Sequence, residues 1–338
     1  MSPEASPIPG PVKRWVEGAR PKTLPAALVP VVVGAALTMT SASNRRIGHE
    51  YPSTTCGLRM PRWLQDEFTQ VNWIRLLLTA VVALALQVGV NYANDYSDGV
   101  KGTDENRVGP LRLVGSGLVP AGTVKRAAWL SFLIAAAAGF TLAAQTSWWL
   151  LAIGAAAIVA AWGYTGGPKP YGYLGLGELF VFIFFGLVAT VGTVYIQVGA
   201  LPGVSWMAAV AVGFSSVALL EANNLRDVTG DTAAGKKTLA VRLGRARGSW
   251  LYLCSWALVA TGILGTAMIE SSQTHARQAF SWWSLLGLLG MIGLRSVIKL
   301  VRSPAEGRAL LPLLGATGKA QLRTGLLFAL GICLTLAH

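Results

Sequence analysis

The acidic residues of this chain are few and unevenly placed. Only fifteen Asp and Glu occur among 338 residues, and six of them fall in two short stretches. Asp95, Asp98, Asp104 and Glu105 lie in NYANDYSDGVKGTDENRVGPLR (residues 91–112), and Asp227 and Asp231 in NNLRDVTGDTAAGKKTLAVRLG (residues 223–244). Both stretches contain Asn-x-x-x-Asp, 132 residues apart, as a weak internal repeat would. At a helix end, Asn91, Asp95 and Asp98 share one face, and so do Asn223, Asp227 and Asp231, with Gly230 placed to break the last turn. Facing carboxylates repel unless a cation lies between them. Mg²⁺ suits such a place, because it takes oxygen ligands and typically binds through one or two carboxylates plus the phosphate oxygens of a substrate. The pattern therefore predicts Asn91, Asp95, Asp98, Asp227 and Asp231 as catalytic and Mg²⁺-holding residues. Lys101, Arg107, Arg112, Arg226, Lys236 and Lys237 flank them and suit the remaining phosphate oxygens. Helix capping by Asn and Asp accounts for one such cluster, but poorly for two matched ones that each carry Lys and Arg.

The elements that must position these residues are membrane helices. The chain is 53% hydrophobic and 13% charged, about half the charged fraction of a soluble domain. Apolar runs predict an all-α bundle of about nine transmembrane helices, near 23–41, 73–93, 124–144, 147–165, 174–198, 203–223, 248–268, 281–301 and 321–337. The whole of 1–338 reads as one transmembrane domain, with a cytoplasmic N-terminal segment, 1–18, and a long extracytoplasmic loop, 42–72. Lys13 to Lys22 ahead of the first apolar run imitate a signal peptide, but the many later spans argue against cleavage.

The net charge of +13 follows the topology rather than a nucleic-acid surface, since no compact basic domain exists to hold a duplex. With nine spans, 22 of the 28 Lys and Arg fall on the side of the N-terminus and of the loops after helices 2, 4, 6 and 8. That side is therefore expected to be cytoplasmic. Three scattered Cys and three scattered His exclude a clustered zinc site or a disulfide framework. No Ser, Cys or His with an adjacent base stands out as a nucleophile. A transporter would also have many helices and intramembrane charges, but its ionisable groups would sit near the midplane rather than at one end of the bundle.

The two Asp-rich segments resemble the paired motifs of the UbiA superfamily of intramembrane prenyltransferases, and within it the branch acting on 1,4-dihydroxy-2-naphthoate. ARPKTLPAALVPVVVG (residues 19–34) and YTGGPKPYGYLGLGE (residues 164–178) share the resemblance, which runs from about residue 11 to 337. The first motif departs from the commoner Asn-Asp-x-x-Asp-x-x-x-Asp pattern, and the 42–72 loop looks longer than usual. The resemblance implies a UbiA-like bundle, Mg²⁺ as cofactor, and transfer of a prenyl group from polyprenyl diphosphate to the naphthoate. It further implies that CO₂ is lost and demethylmenaquinone formed, with the tail in membrane lipid. Transfer to 4-hydroxybenzoate or another aromatic acceptor is the alternative.

Around this core, Asn94, Asn223 and Asn224 are expected to contact substrate. Arg20 and Lys22 suit phosphate or the acceptor carboxylate, and equally suit ordinary anchoring at the membrane edge. Tyr164 and Lys169 suit the aromatic acceptor, although Tyr164 also fits an interfacial belt. Glu178 and Glu221 suit a supporting role, and Trp148-Trp149 and Trp282-Trp283 suit interface anchors. In a background without the native cysteines, a cysteine placed at Thr103 is expected to react with an impermeant thiol reagent only once the membrane is opened. Labelling from outside intact cells would reverse the topology.

Overall fold

A computed structural model describes residues 10–39, 71–103, 111–274 and 282–335. Asp104, Glu105, Arg107 and most of the 42–72 loop lie outside them. The described residues contain helices and no strand. In chain order they are α1 (Pro11–Gly18), α2 (Pro25–Thr38), α3 (Trp73–Val100), α4 (Ala121–Gln145), α5 (Trp149–Gly163) and α6 (Gly177–Val198), then α7 (Gly203–Ala233), α8 (Leu239–Thr274), α9 (Trp283–Arg302) and α10 (Leu311–Leu334).

Within the described residues, each of the nine expected apolar runs is mainly helical. Six helices (α3, α4, α6, α7, α8 and α9) are long and apolar enough to cross a membrane. The pair Pro11–Thr23 and Pro25–Thr38, bent by 52°, makes a seventh if counted as one span. Helix α5 has only 15 residues, and α10, which carries Lys319 and Arg323, falls outside that measure. Nine is thus an approximate count of crossings.

The larger departure is at the ends. Helix α3 was expected to end near residue 93 and α7 near 223, yet they continue to Val100 and Ala233. Helix α8 begins at Leu239, ahead of the apolar run, and kinks at Gly244, whose φ of 73° breaks the helical path. Apolarity marks only the lipid-facing part of a helix. The backbone keeps its hydrogen bonds beyond it, so Gly230 does not end α7. Both Asp-rich motifs consequently begin on rigid helix rather than loop.

Two apolar clusters divide the interior. One joins α2 to α7, α8, α9 and α10 through residues such as Val33, Ala218, Ile263 and Phe328. The other packs α3 on α4 through Ala93, Ala128 and Phe132, with Leu113 beneath them. In lipid, helices associate through close contact of small residues rather than by escape from water. At Gly262 of α8, an added Cβ would lie 2.5 Å from the backbone N of Ala211 and 2.8 Å from the carbonyl O of Met207, both on α7. At the far end, Arg75 ties three helices together, donating to the carbonyls of Gln145 (2.8 Å) and Ile196 (3.2 Å).

Within α6, residues Phe182–Val191 form a π-helical stretch. This wider turn, often found at functional sites, sets the apolar wall described next. Gly262→Leu is expected to wedge α7 from α8 and cost about 1–3 kcal/mol by overpacking. The check is the melting temperature of the purified protein in detergent; an unchanged value would show that the two helices can part freely.

Candidate active site

A cavity of ≈ 1510 Å³ opens among α2, α3, α4, α5, α6, α7 and the start of α10. One part of its lining is apolar, with Leu86, Ile153, Val181, Ile183 and Leu187. Tyr164, Tyr171, Phe180 and Phe184 also line it. Their rings follow one another: Tyr171 meets Tyr164 edge-on at 5.5 Å and stacks on Phe180 at 4.0 Å, and Phe180 meets Phe184 at 6.2 Å. The polar part holds Arg20, Lys22, Gln87, Asn91, Asn94, Arg112, Asn223 and Arg226. The cavity thus pairs a cationic, amide-rich head with an apolar and aromatic body.

The head is built where helix ends converge. Asn91 on α3 donates to the carbonyl of Ala19 (2.9 Å) and to the Thr23 hydroxyl (3.2 Å), drawing the chain before α2 onto α3. Arg20, between them, adopts a left-handed φ of 56°, unusual for a residue with a Cβ, and lines the cavity. Asn94 accepts from the Thr165 hydroxyl at 2.8 Å. Asp95 is 1% exposed, and its two oxygens accept the backbone N–H groups of Leu113 (2.7 Å) and Val114 (3.0 Å). That carboxylate holds the segment leading into α4.

Asp98, one turn further, joins three connections. Tyr173 donates its hydroxyl at 2.6 Å, Lys236 lies at 3.1 Å and Arg112 at 3.8 Å. Lys236 and Lys101 also stand over the Tyr173 ring, at 4.8 and 5.0 Å. The Lys101 ammonium donates to the carbonyls of Thr165 (2.7 Å) and Gly167 (3.3 Å). Partial burial and the neighbouring Lys236 pull its pKa below the usual range, against the opposing attraction of Asp98.

On α7, Arg226 forms a two-pronged pair with Asp227, both contacts 2.7 Å, and donates to Asn223 at 2.7 Å. Its Nη1 is buried and has no hydrogen-bond partner among the described residues. Asn224 donates to Glu178 at 3.0 Å, and Ser255 to Glu221 at 3.1 Å.

The structure therefore brings the two motifs to the same end of the bundle, where Asp98 of the first meets Lys236 of the second. It separates the expected residues into two layers. Arg20, Lys22, Asn91, Asn94, Arg112, Tyr164 and Asn223 line the cavity, whereas Asp95, Asp98, Asp227, Asp231, Lys101, Asn224, Lys236 and Lys237 do not. Lys169 is exposed and also stands outside the lining. Asp231 is half-buried; its carbonyl caps the turn by accepting the N–H of Lys236 at 2.8 Å.

Tyr173 is the chief participant that residue-type reasoning passed over. Its signal was its place in residues 164–178, between the Gly and Pro residues of a connection on the active side. Among the described residues, no three Asp, Glu, His or Cys gather into a metal-binding group. Mg²⁺ needs fewer when a diphosphate supplies further oxygens, and the Asn and Asp oxygens of the two helix ends are of the hard type it takes. The donor set fits a metal that is completed by substrate.

Fold and site together define a multi-pass helical membrane protein with a charged chamber at one end of an apolar cavity. The chain belongs to the UbiA prenyltransferase family, whose sequence pattern matches residues 66–311. It is 44% identical to the 1,4-dihydroxy-2-naphthoate octaprenyltransferase of Mycobacterium tuberculosis, over 91% of this chain and 93% of that protein. It is 34% identical to the Escherichia coli enzyme of the same name, over 95% of both. Among solved structures, the fold resembles a UbiA homolog from Archaeoglobus fulgidus bound to GPP and Mg²⁺. The TM-score is 0.58 at 14% identity, covering 96% of this chain and 100% of that one. It also resembles the apo UbiA homolog from Aeropyrum pernix K1, with a TM-score of 0.60 at 16% identity, covering 92% of this chain and 97% of that one.

Asp95→Asn is expected to turn one of the two oxygens facing loop N–H groups into a donor and to cost about 1–3 kcal/mol locally. Faster amide hydrogen exchange at Leu113 and Val114 is the readout. Unchanged protection there would mean that the loop does not depend on this carboxylate.

Proposed function

We propose that this protein transfers a polyprenyl group from its diphosphate to 1,4-dihydroxy-2-naphthoate, with loss of CO₂, in menaquinone biosynthesis. The observation that carries the reading is the cavity: a cationic, amide-rich head opening into an apolar, aromatic-lined body. A prenyl diphosphate has the same division, and the relatives at 34–44% identity bear the name of this activity. The head and its loops are proposed to face the cytoplasm, where Mg²⁺ and the acceptor are in solution.

Asn91, Asp95, Asp98, Asp227 and Asp231 are the oxygen donors proposed to hold Mg²⁺, which when bound neutralises charge on the diphosphate. The rest of the work falls to the chain. Arg226 offers the diphosphate its Nη1, which has no partner among the described residues, with Arg112, Lys236 and Lys101 close by and Arg20 and Lys22 on the cavity wall. As the allylic C–O bond breaks, its electron pair goes to the diphosphate oxygen, where these fixed cations stabilise it. The apolar body keeps water from the allylic cation. Tyr164 and Tyr171 present aromatic faces for the acceptor ring, beside Asn223.

The ring attacks through the carbon bearing the carboxylate. The C–C bond forms as the ring loses aromaticity, and loss of CO₂ returns the electron pair to the ring. No covalent enzyme intermediate is needed. A carboxyl-labelled naphthoate is expected to give unlabelled prenylated product and one labelled CO₂ per turnover, read by mass spectrometry. Product that keeps the label, or a strong preference for 4-hydroxybenzoate, would move the assignment to another acceptor within the family.

A further inference from the structure

Two of the four carboxylates assigned to metal binding, Asp98 and Asp227, already have cations of the chain upon them. Asp98 holds Lys236 at 3.1 Å and Arg112 at 3.8 Å, and Asp227 holds Arg226 at 2.7 Å. The side chains of Arg226 and Lys236 are only 0% and 7% exposed. Arg112 and Arg226 line the cavity, while Asp98 and Asp227 do not. Approached from the cavity, each of these carboxylates therefore stands behind a basic residue.

We propose that Lys236 and Arg226 are exchangeable counter-cations that keep the metal site closed until a prenyl diphosphate arrives, so that metal and diphosphate enter as one unit. The inference rests on the reading of the cavity as a prenyl diphosphate site, and is independent of the acceptor. A divalent ion arriving alone at Asp98 would have to displace Lys236 and crowd Arg112, and at Asp227 it would have to displace Arg226. The displaced group would then be a buried cation without its anion, next to an added double charge, which is strongly unfavourable. A diphosphate removes that obstacle. Its oxygens accept the released ammonium and guanidinium, and the carboxylates turn to the metal. Arg226 is poised for the exchange because its Nη1 is buried with no acceptor among the described residues, while its Nε and Nη2 hold Asp227 and Asn223. Lys236 is poised as well: it rests on the Tyr173 ring, which offers it a second seat near Asp98. Metal and diphosphate affinities are then coupled, each raising the other by the same factor.

Equilibrium dialysis of purified protein in detergent tests this without turnover. The probes are radioactive Mn²⁺ and labelled geranyl diphosphate, with no acceptor present. Wild type and Lys236→Arg, which keeps a cation, are expected to retain Mn²⁺ only when geranyl diphosphate is added. Lys236→Met and Arg226→Met are expected to bind Mn²⁺ without it, with affinity raised about tenfold, the scale of ordinary coupling between sites. Melting curves establish that each variant is folded. If one Met variant is not, the other and the wild-type comparison decide the matter. Wild-type protein that binds Mn²⁺ equally well without diphosphate would overturn the proposal, as would folded Met variants that bind no more than wild type. Either result leaves prenyl transfer standing, provided labelled geranyl diphosphate is retained. Absence of geranyl diphosphate binding to wild type would overturn both.

Discussion

Everything at the charged end of this molecule depends on holding carboxylates out of water at the edge of a bilayer. Asp98 is 2% exposed, and a bare carboxylate there would be prohibitively costly. The chain meets that constraint with partners from three separate connections: Arg112 before α4, Tyr173 before α6 and Lys236 before α8. Because each partner comes from a different place, satisfying one charge also fixes where three loops lie. Asp95 works in the same way on a smaller scale, spending both oxygens on the backbone that leads into α4.

The helices below supply the rigidity this arrangement needs. Lipid gives little drive for helices to associate, so their spacing is set by how closely backbones can approach. The contact of Gly262 with Ala211 brings α7 and α8 together, and the approach of Gly186 to Gly213, where an added Cβ would lie 2.7 Å from the facing Cα, joins α6 to α7. Helix α7 thereby becomes a fixed post, and its extension to Ala233 presents Asn223, Asn224, Arg226 and Asp227 on a continuous backbone.

Much of this was legible in the residues, and the limits have physical causes. The apolar runs showed where the helices are, because a spanning segment must satisfy its own backbone and cover it with apolar side chains. They did not show how far α3 and α7 continue, because hydropathy stops reporting where lipid stops. The paired motifs stood out because acidic residues are scarce here. Their division into cavity-lining amides and carboxylates set behind cations was not readable, since residues on one helix face can still differ in what covers them. Tyr173 carries no charge, so counting charges could not single it out. The π-helical stretch at Phe182–Val191 and the aromatic succession ending at Phe184 have no periodicity to separate them from any other apolar span.

The body of the cavity has a consequence for where a bound chain comes to rest. Directional groups are gathered at the head; α3, α5 and α6 offer the tail mostly hydrocarbon and aromatic surface. Attraction between such surfaces is non-directional and grows with the area in contact. A hydrocarbon chain lying there is held by contact area alone, so its place along the cavity is set by the directional groups at the head.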